Sequence, residues 1–196
     1  VQAEHVETVP VMTDDRICFF TDTGSMYQVK AADVPAGKLK DKGVPLDNIS
    51  RFEGAKERIL LTMPASELPG KKLLFATRAA MLKIVPGGEF LTANRMVAAT
   101  KLSEGDQAAE IRILSGETEI VLQTKEGMFL RFMINEIPEL KKNSRGVRGM
   151  KLEGGDSLEH VYFPENEPLA VYKEKEVHLN RLKMAKRDGK GTKTRV

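Results

Sequence analysis

The residues whose chemistry stands out in this chain are cations gathered into two short stretches. Segment 138–151 carries Lys141, Lys142, Arg145, Arg148 and Lys151 against Glu139, a net +4. Segment 181–196 carries Arg181, Lys183, Lys186, Arg187, Lys190, Lys193 and Arg195 against Asp188, a net +6. The whole chain sums to +3, so everything else holds −7. Lys38, Lys40 and Lys42 form a smaller group on a Pro/Gly-containing stretch, and Arg95 and Lys101 flank the apolar run Met96–Ala99. Basic loops on an acidic body are the electrostatic footprint of polyanion binding. By charge alone, solvated loops and a basic tail would look the same.

Catalytic constellations are missing. His5, His160 and His178 lie in different regions without metal-ligand spacing. The Gly-Lys pairs at 37–38, 70–71 and 189–190 lack both the earlier glycine and the following Ser or Thr of a phosphate loop. Asp106 and Asp156 each follow a glycine, which reads as turn chemistry rather than a carboxylate pair. Tyr27, Tyr162 and Tyr172 read as packing residues with the polar tip outward. Cys18, the sole cysteine, sits in the apolar run Ile17–Phe20, which excludes an internal disulfide and predicts a buried, inert thiol suited to a reducing cytoplasm.

The elements that must position the cations form a repeat array. Ile120–Thr124 and Met128–Phe132 read as two strands joined by Thr124-Lys125-Glu126-Gly127, with Gly127 free to take positive φ. Counted from the turn residue, copies begin at Thr21, Thr77, Thr124 and Tyr172, in steps of 56, 47 and 48 residues. Each hairpin leads through a linker to a Gly- or Ala-led strand, expected at 43–46, 99–102, 149–152 and 191–193. The cationic segments fall on the linkers of repeats three and four. Ala80 and Lys175 stand where Gly24 and Gly127 stand, so those turns either change type or bear strain of about 1 kcal/mol.

Four such repeats predict an all-β chain of blades around an axis, with repeats at roughly 14–66, 67–115, 116–165 and 166–196 in one domain. Residues 1–13 read as the end of an upstream element, with Val9–Met12 pairing as an outer strand. Val1 is not an initiator Met, so the chain reads as a piece of a longer protein. The apolar linker Met96–Ala99 is expected to pack against something. No apolar run approaches the roughly 18 residues of a membrane span, and no signal-peptide pattern opens the chain.

At two repeats the residues match a known family. Phe19-Phe20-Thr21-Asp22-Thr23-Gly24 with Tyr27, Lys30, Val34-Pro35 and Lys42-Gly43 resembles a blade of the C-terminal domain of bacterial type IIA topoisomerase A subunits. Arg145-Gly146-Val147-Arg148-Gly149-Met150-Lys151-Leu152 before Gly155-Asp156 is similar to another. The resemblance covers about 14–196 and implies a β-pinwheel, a propeller-like disc whose strands pass between blades. It leaves open whether the disc is partial or closed, and whether the parent enzyme is gyrase or topoisomerase IV. Ala185-Lys186-Arg187-Asp188-Gly189-Lys190-Gly191 is similar to the gyrase box Gln-Arg-Arg-Gly-Gly-Lys-Gly, departing at Ala185 and Asp188, and Asp188 is expected to oppose phosphate.

What the resemblance implies is sequence-nonspecific binding of double-stranded DNA by the basic rim, with wrapping added in gyrase. Lys141, Lys142, Arg145, Arg148, Lys151, Lys183, Lys186, Arg187, Lys190, Lys193 and Arg195 are the expected contacts, with Lys38, Lys40, Lys42 and Arg95 secondary. It implies a domain that is itself non-catalytic and has no cofactor, since none of its tyrosines follows the arginine of the family's nucleophile. ATP and Mg2+ belong to the holoenzyme, whose ATPase B subunit, with the rest of the A subunit, supplies the protein partners. The place is the bacterial cytoplasm, at the nucleoid, without membrane. The competing expectation is a propeller-like protein-interaction scaffold that uses an apolar surface near Met96–Ala99.

Overall fold

A computed structural model describes residues 7–38 and 40–194. Its strands are β1 (Arg16–Thr21), β2 (Ser25–Lys30), β3 (Ile59–Pro64), β4 (Lys72–Thr77), β5 (Met81–Pro86), β6 (Met96–Ala98), β7 (Ala108–Leu114), β8 (Glu119–Thr124), β9 (Met128–Met133), β10 (Val147–Arg148), β11 (Leu158–Tyr162), β12 (Leu169–Tyr172), β13 (Lys175–His178) and β14 (Thr192–Lys193). Among the described residues the only helical elements are short 3-10 turns. The strands form antiparallel sheets in the orders β3-β1-β2-β6, β10-β5-β4-β7 and β11-β8-β9-β14, with β12-β13 as a fourth.

The order of strands departs from the order of repeats. Each four-stranded sheet takes a hairpin and a third strand from its own repeat, then a fourth from the linker of the next. Thus Met26 of β2 pairs with Val97, Leu82 of β5 with Val147, and Phe129 of β9 with Thr192. The linker strands begin earlier than expected in repeats two and three: 99–102 and 149–152 are not strands, and β6 and β10 precede them. Residues 43–46 form no strand either, and Val9–Met12 does not pair.

The sheets stack because both faces of their central strands are apolar. Along β4, Leu73 and Phe75 face the first sheet while Leu74 and Ala76 face the third, following the two-residue period of a strand. Phe20 meets Phe75 and Phe90 edge-on, with centroids 6.2 and 5.1 Å apart. Leu82 and Ile84 pack on Leu122, Leu130 and Phe132 between sheets two and three. Val121 and Phe129 pack on Ala170, Val177 and Leu179 of the fourth repeat. On the other side of the first sheet, Phe19, Tyr27 and Val29 are covered by Phe52, Leu46 and Ile49 of the long first connection.

The two odd turns resolve differently. Gly24 and Gly127 take φ of +78° and +79°, and Ala80 adopts the same turn at +60°, accepting the strain. In the fourth repeat the turn shortens to Lys173-Glu174 with φ of +48° and +63°, a two-residue hairpin whose central residues are both left-handed.

Candidate nucleic-acid interface

Each basic linker is laid down by main-chain bonds to the preceding hairpin. Ala99 N–H donates to the Gly24 carbonyl at 2.8 Å and Gly149 N–H to the Ala80 carbonyl at 2.7 Å, so the linker leaving each exchanged strand is tied to the neighbouring turn. In repeat three, Ile84 N–H donates to Pro138 O and Leu140 N–H to Ile84 O. Gly146 lies so close to β5 that a Cβ would stand 2.4 Å from Leu82 O. No side chain fits there, which makes glycine a requirement of the loop.

Beneath these linkers one polar side chain per hairpin holds their carbonyls. Gln28 donates to Thr92 O (2.7 Å) and Asn94 O (2.5 Å). Arg131 donates to Asn180 O (2.9 Å) and Leu182 O (3.0 Å) while its fork engages Glu119. Lys83, 1% exposed, donates to Lys141 O, Lys142 O and Ser144 O at 3.2, 2.7 and 2.6 Å, with its ammonium 5.5 Å from the Phe75 ring centre. Burial pulls the Lys83 pKa down to about 8, with the Glu89 carboxylate acting in the opposite direction. Glu89 also accepts the Lys142 N–H at 2.7 Å. Reasoning from sequence misses these three residues; the available signal was a polar residue inside an otherwise apolar strand.

The structure brings the two strongest basic segments together. Asp188 N–H donates to Gly149 O (2.8 Å) and Lys151 N–H to Gly189 O (2.9 Å), and the Arg187 guanidinium donates to Arg148 O at 2.7 Å. Lys141, Arg145, Arg148, Lys151, Lys183, Lys186, Lys190 and Lys193 are exposed there, while Lys142 and Arg187 are half-buried. Lys142 and Lys101 border one groove of about 520 Å³ between the linkers of repeats two and three. Arg95 is exposed just before β6. Lys38, Lys40 and Lys42 are exposed on a separate loop that closes on itself, with Lys38 N–H donating to Asp41 at 2.6 Å. Arg195 lies outside the described residues, as does His5.

Not every cation of the expected surface is free. The Arg148 fork is held by Asp188, and Lys190 is paired with Glu153 at 2.6 Å. The hydrogen bond from Arg148 holds Asp188 below the usual carboxylate range. At the opposite edge of the sheets, β7 lies beside β3 and β11, so the third strands converge where the exchanged strands do not. There Arg112 donates to Val161 O (3.1 Å) and Glu167 (3.0 Å) and covers the Phe163 ring at 4.7 Å. That guanidinium joins sheets two and three rather than facing solvent.

Tyr27, Tyr162, Cys18, Asp106 and Asp156 are engaged in packing or hydrogen bonds within the fold. Tyr27 is buried with its hydroxyl bonded to Glu57, and Tyr162 donates to Gln123 at 2.7 Å, so these tips point inward rather than outward. Burial first, then neighbouring carboxylates, pushes both phenols up to about 12. Cys18 is buried, and burial raises its thiol to about 12. Asp106 accepts the amides of Ala79 and Gln107, and Asp156 those of Glu126 and Ser157, which makes both the turn residues expected. Of Met96–Ala99, the apolar run expected to pack, Ala99 is buried and β6 pairs with β2, whereas Met96 and Ala98 remain exposed.

Comparison with known proteins agrees with this architecture. The family model described as the DNA gyrase C-terminal domain, a beta-propeller, matches residues 15–51, 71–115 and 118–164. The DNA gyrase A subunit of Klebsiella oxytoca is 30% identical over 157 residues, covering 79% of this chain and 18% of the relative. That of Staphylococcus aureus (strain MRSA252) is 29% identical over 199 residues, covering 96% and 22%. The chain therefore spans about a fifth of the length of these relatives. The solved C-terminal domain of DNA topoisomerase IV superposes with a TM-score of 0.82 at 22% identity, over 94% of this chain and 59% of that one. The Escherichia coli ParC C-terminal domain gives 0.74 at 19%, over 94% and 78%, and the DNA gyrase A C-terminal domain 0.68 at 23%, over 93% and 60%. Blades that trade strands, a hairpin in every matched stretch and the family match together establish that this chain belongs to the DNA gyrase C-terminal domain, beta-propeller, family.

Proposed function

We propose that this chain binds double-stranded DNA without sequence preference, as part of a bacterial type IIA topoisomerase A subunit that presents DNA to a cleavage core. The observation that carries the reading is the adjacency of the linkers of repeats three and four, whose exposed cations follow one edge of the sheets. Such an edge meets phosphates rather than bases and favours DNA that bends along it. With no Trp in the chain, base stacking of single strands has little to work with. The chain does no chemistry of its own in this reading. Cleavage, ATP and Mg2+ belong to the ATPase B subunit together with the rest of the A subunit, at the nucleoid. The scaffold alternative would use Met96–Ala99, where β2 pairs with β6 while Met96 and Ala98 stay exposed, and it predicts partner binding that salt does not weaken.

The test is a linking-number assay. Relaxed nicked plasmid is bound by increasing protein, sealed by ligase and resolved on topoisomer gels, with retardation of the same plasmid measured in parallel. A directional shift that grows with protein is the result expected of chiral wrapping, the gyrase-like role. Retardation without a shift means DNA is held but not wrapped, as expected of a topoisomerase IV-like role. Neither effect at low salt rejects the reading.

A further inference from the structure

We infer that Asp188 sets the DNA affinity of this surface by occupying Arg148 in the place of a phosphate, an inference that rests on the binding reading above. Arg148 offers Nε and one terminal nitrogen to the two oxygens of one carboxylate, the second contact at 3.0 Å. That parallel pair of donors is the geometry with which a guanidinium takes a phosphate, so the same fork cannot serve both. The pair is open to solvent, with the arginine side chain 56% and the aspartate 34% exposed. A pair this exposed contributes little to folding, so removing the carboxylate frees the fork and leaves the fold in place.

Asp188 is held in place by more than the ion pair. Its own N–H donates to Gly149 O, and the next residue's carbonyl accepts from Lys151, so the backbone fixes the carboxylate beside Arg148. It does so at φ +66°, a left-handed conformation that glycine adopts freely and L residues seldom do. The basic segment thus carries an acid at a position whose backbone suits glycine. A second pair, Lys190 with Glu153, joins the same two linkers, here with the cation on the last linker and the acid just beyond the other. The sequence therefore overstates the free positive charge of this face, and Asp188 has a partner rather than merely repelling phosphate.

The experiment measures retardation of a short linear duplex by the 196-residue chain between about 50 and about 200 mM KCl. Asp188→Asn keeps the shape and tolerates the left-handed backbone while removing the charge. Affinity at about 150 mM is expected to rise about fivefold and the log K against log salt slope to steepen by about 1, the signature of one added phosphate contact. Arg148→Gln on the native chain should change affinity less than about twofold, whereas on the Asp188→Asn background it should cancel the gain. Circular dichroism and melting confirm that each variant is folded. Should Asp188→Asn not fold, Arg148→Gln is compared with Arg145→Gln, which is expected to lose about fivefold; equal losses overturn the inference. So does a native chain that binds while Asp188→Asn matches it in affinity and slope, which leaves the binding reading intact. No retardation by any variant at the lowest salt overturns both.

Discussion

Among the described residues, Lys83 is the one charged side chain buried beneath the interface. An ammonium has three donors and three carbonyls receive them, so replacing it strands buried acceptors in the loop that presents Lys141, Lys142 and Arg145. Lys83→Met is expected to cost about 2–3 kcal/mol, with faster amide exchange at Lys142 and Ser144. Because the folded pKa of about 8 lies below the ordinary 10.5, the folded state binds fewer protons between those values. Stability from this group therefore rises as pH climbs across that window, and the rise should be absent from melts of Lys83→Met. His160 has the opposite sign. Its hydrogen bond with Glu110 raises its pKa, so its contribution is whole below about 6.5 and lost as pH passes the raised value. The melting difference between the native chain and His160→Gln should be larger at about pH 6 than at about pH 8.5, and below about 1 kcal/mol because the ring is half exposed. At Gly127 a methyl would meet the Tyr172 ring at 2.4 Å in a left-handed turn, so Gly127→Ala should destabilise by roughly 2–4 kcal/mol and loosen the fourth repeat.

At the scale of elements, the exchanged strands are the joints of the molecule. Strands of two or three residues are too short to hold by their own ladder. They persist because the residue after them bonds the previous turn and the linker leading into them is clasped from below. Gly149→Pro removes the bond to Ala80 O and should split a single calorimetric transition into two, as sheet two loses its fourth strand; an unsplit transition would show that β10 does not couple the repeats. The hairpins were legible in sequence because turn glycines and dense β-branched or aromatic runs are local signals, and β8 and β9 fall within a residue of where those signals put them. β14 lies within the expected 191–193, whereas β6 and β10 fall away from their expected positions because so few residues carry no period and their partners lie far upstream, Ser25 opposite Ala98 being an example. For the same reason the basic segments could be found as charge, while the pairing of Arg148 with Asp188 and of Lys190 with Glu153 could not. Those pairs depend on two linkers meeting in space.

Across the whole molecule, the linkers around the exchanged strands gather a dense group of exposed lysines and arginines, while beside the converging third strands Arg112 is engaged by Glu110 and Glu167. Charge reversal at Lys141 and Arg145 should flatten the salt slope of duplex binding by about 2 at every sequence tested. Arg112→Gln should lower the melting temperature and leave that slope alone; a slope change of equal size would mean that DNA also reaches the other edge. The trading of strands has one more consequence, for how such an array can lengthen or shorten over generations. Because repeats two and three each lend one strand backward and borrow one from the repeat ahead, the inherited unit is out of step with the packed unit. Duplicating or deleting one whole period, wherever the break falls, removes one loan and one debt together and leaves the remaining sheets complete. Copy number is then free to drift in the gene, while any change of other than a whole period leaves a sheet one strand short.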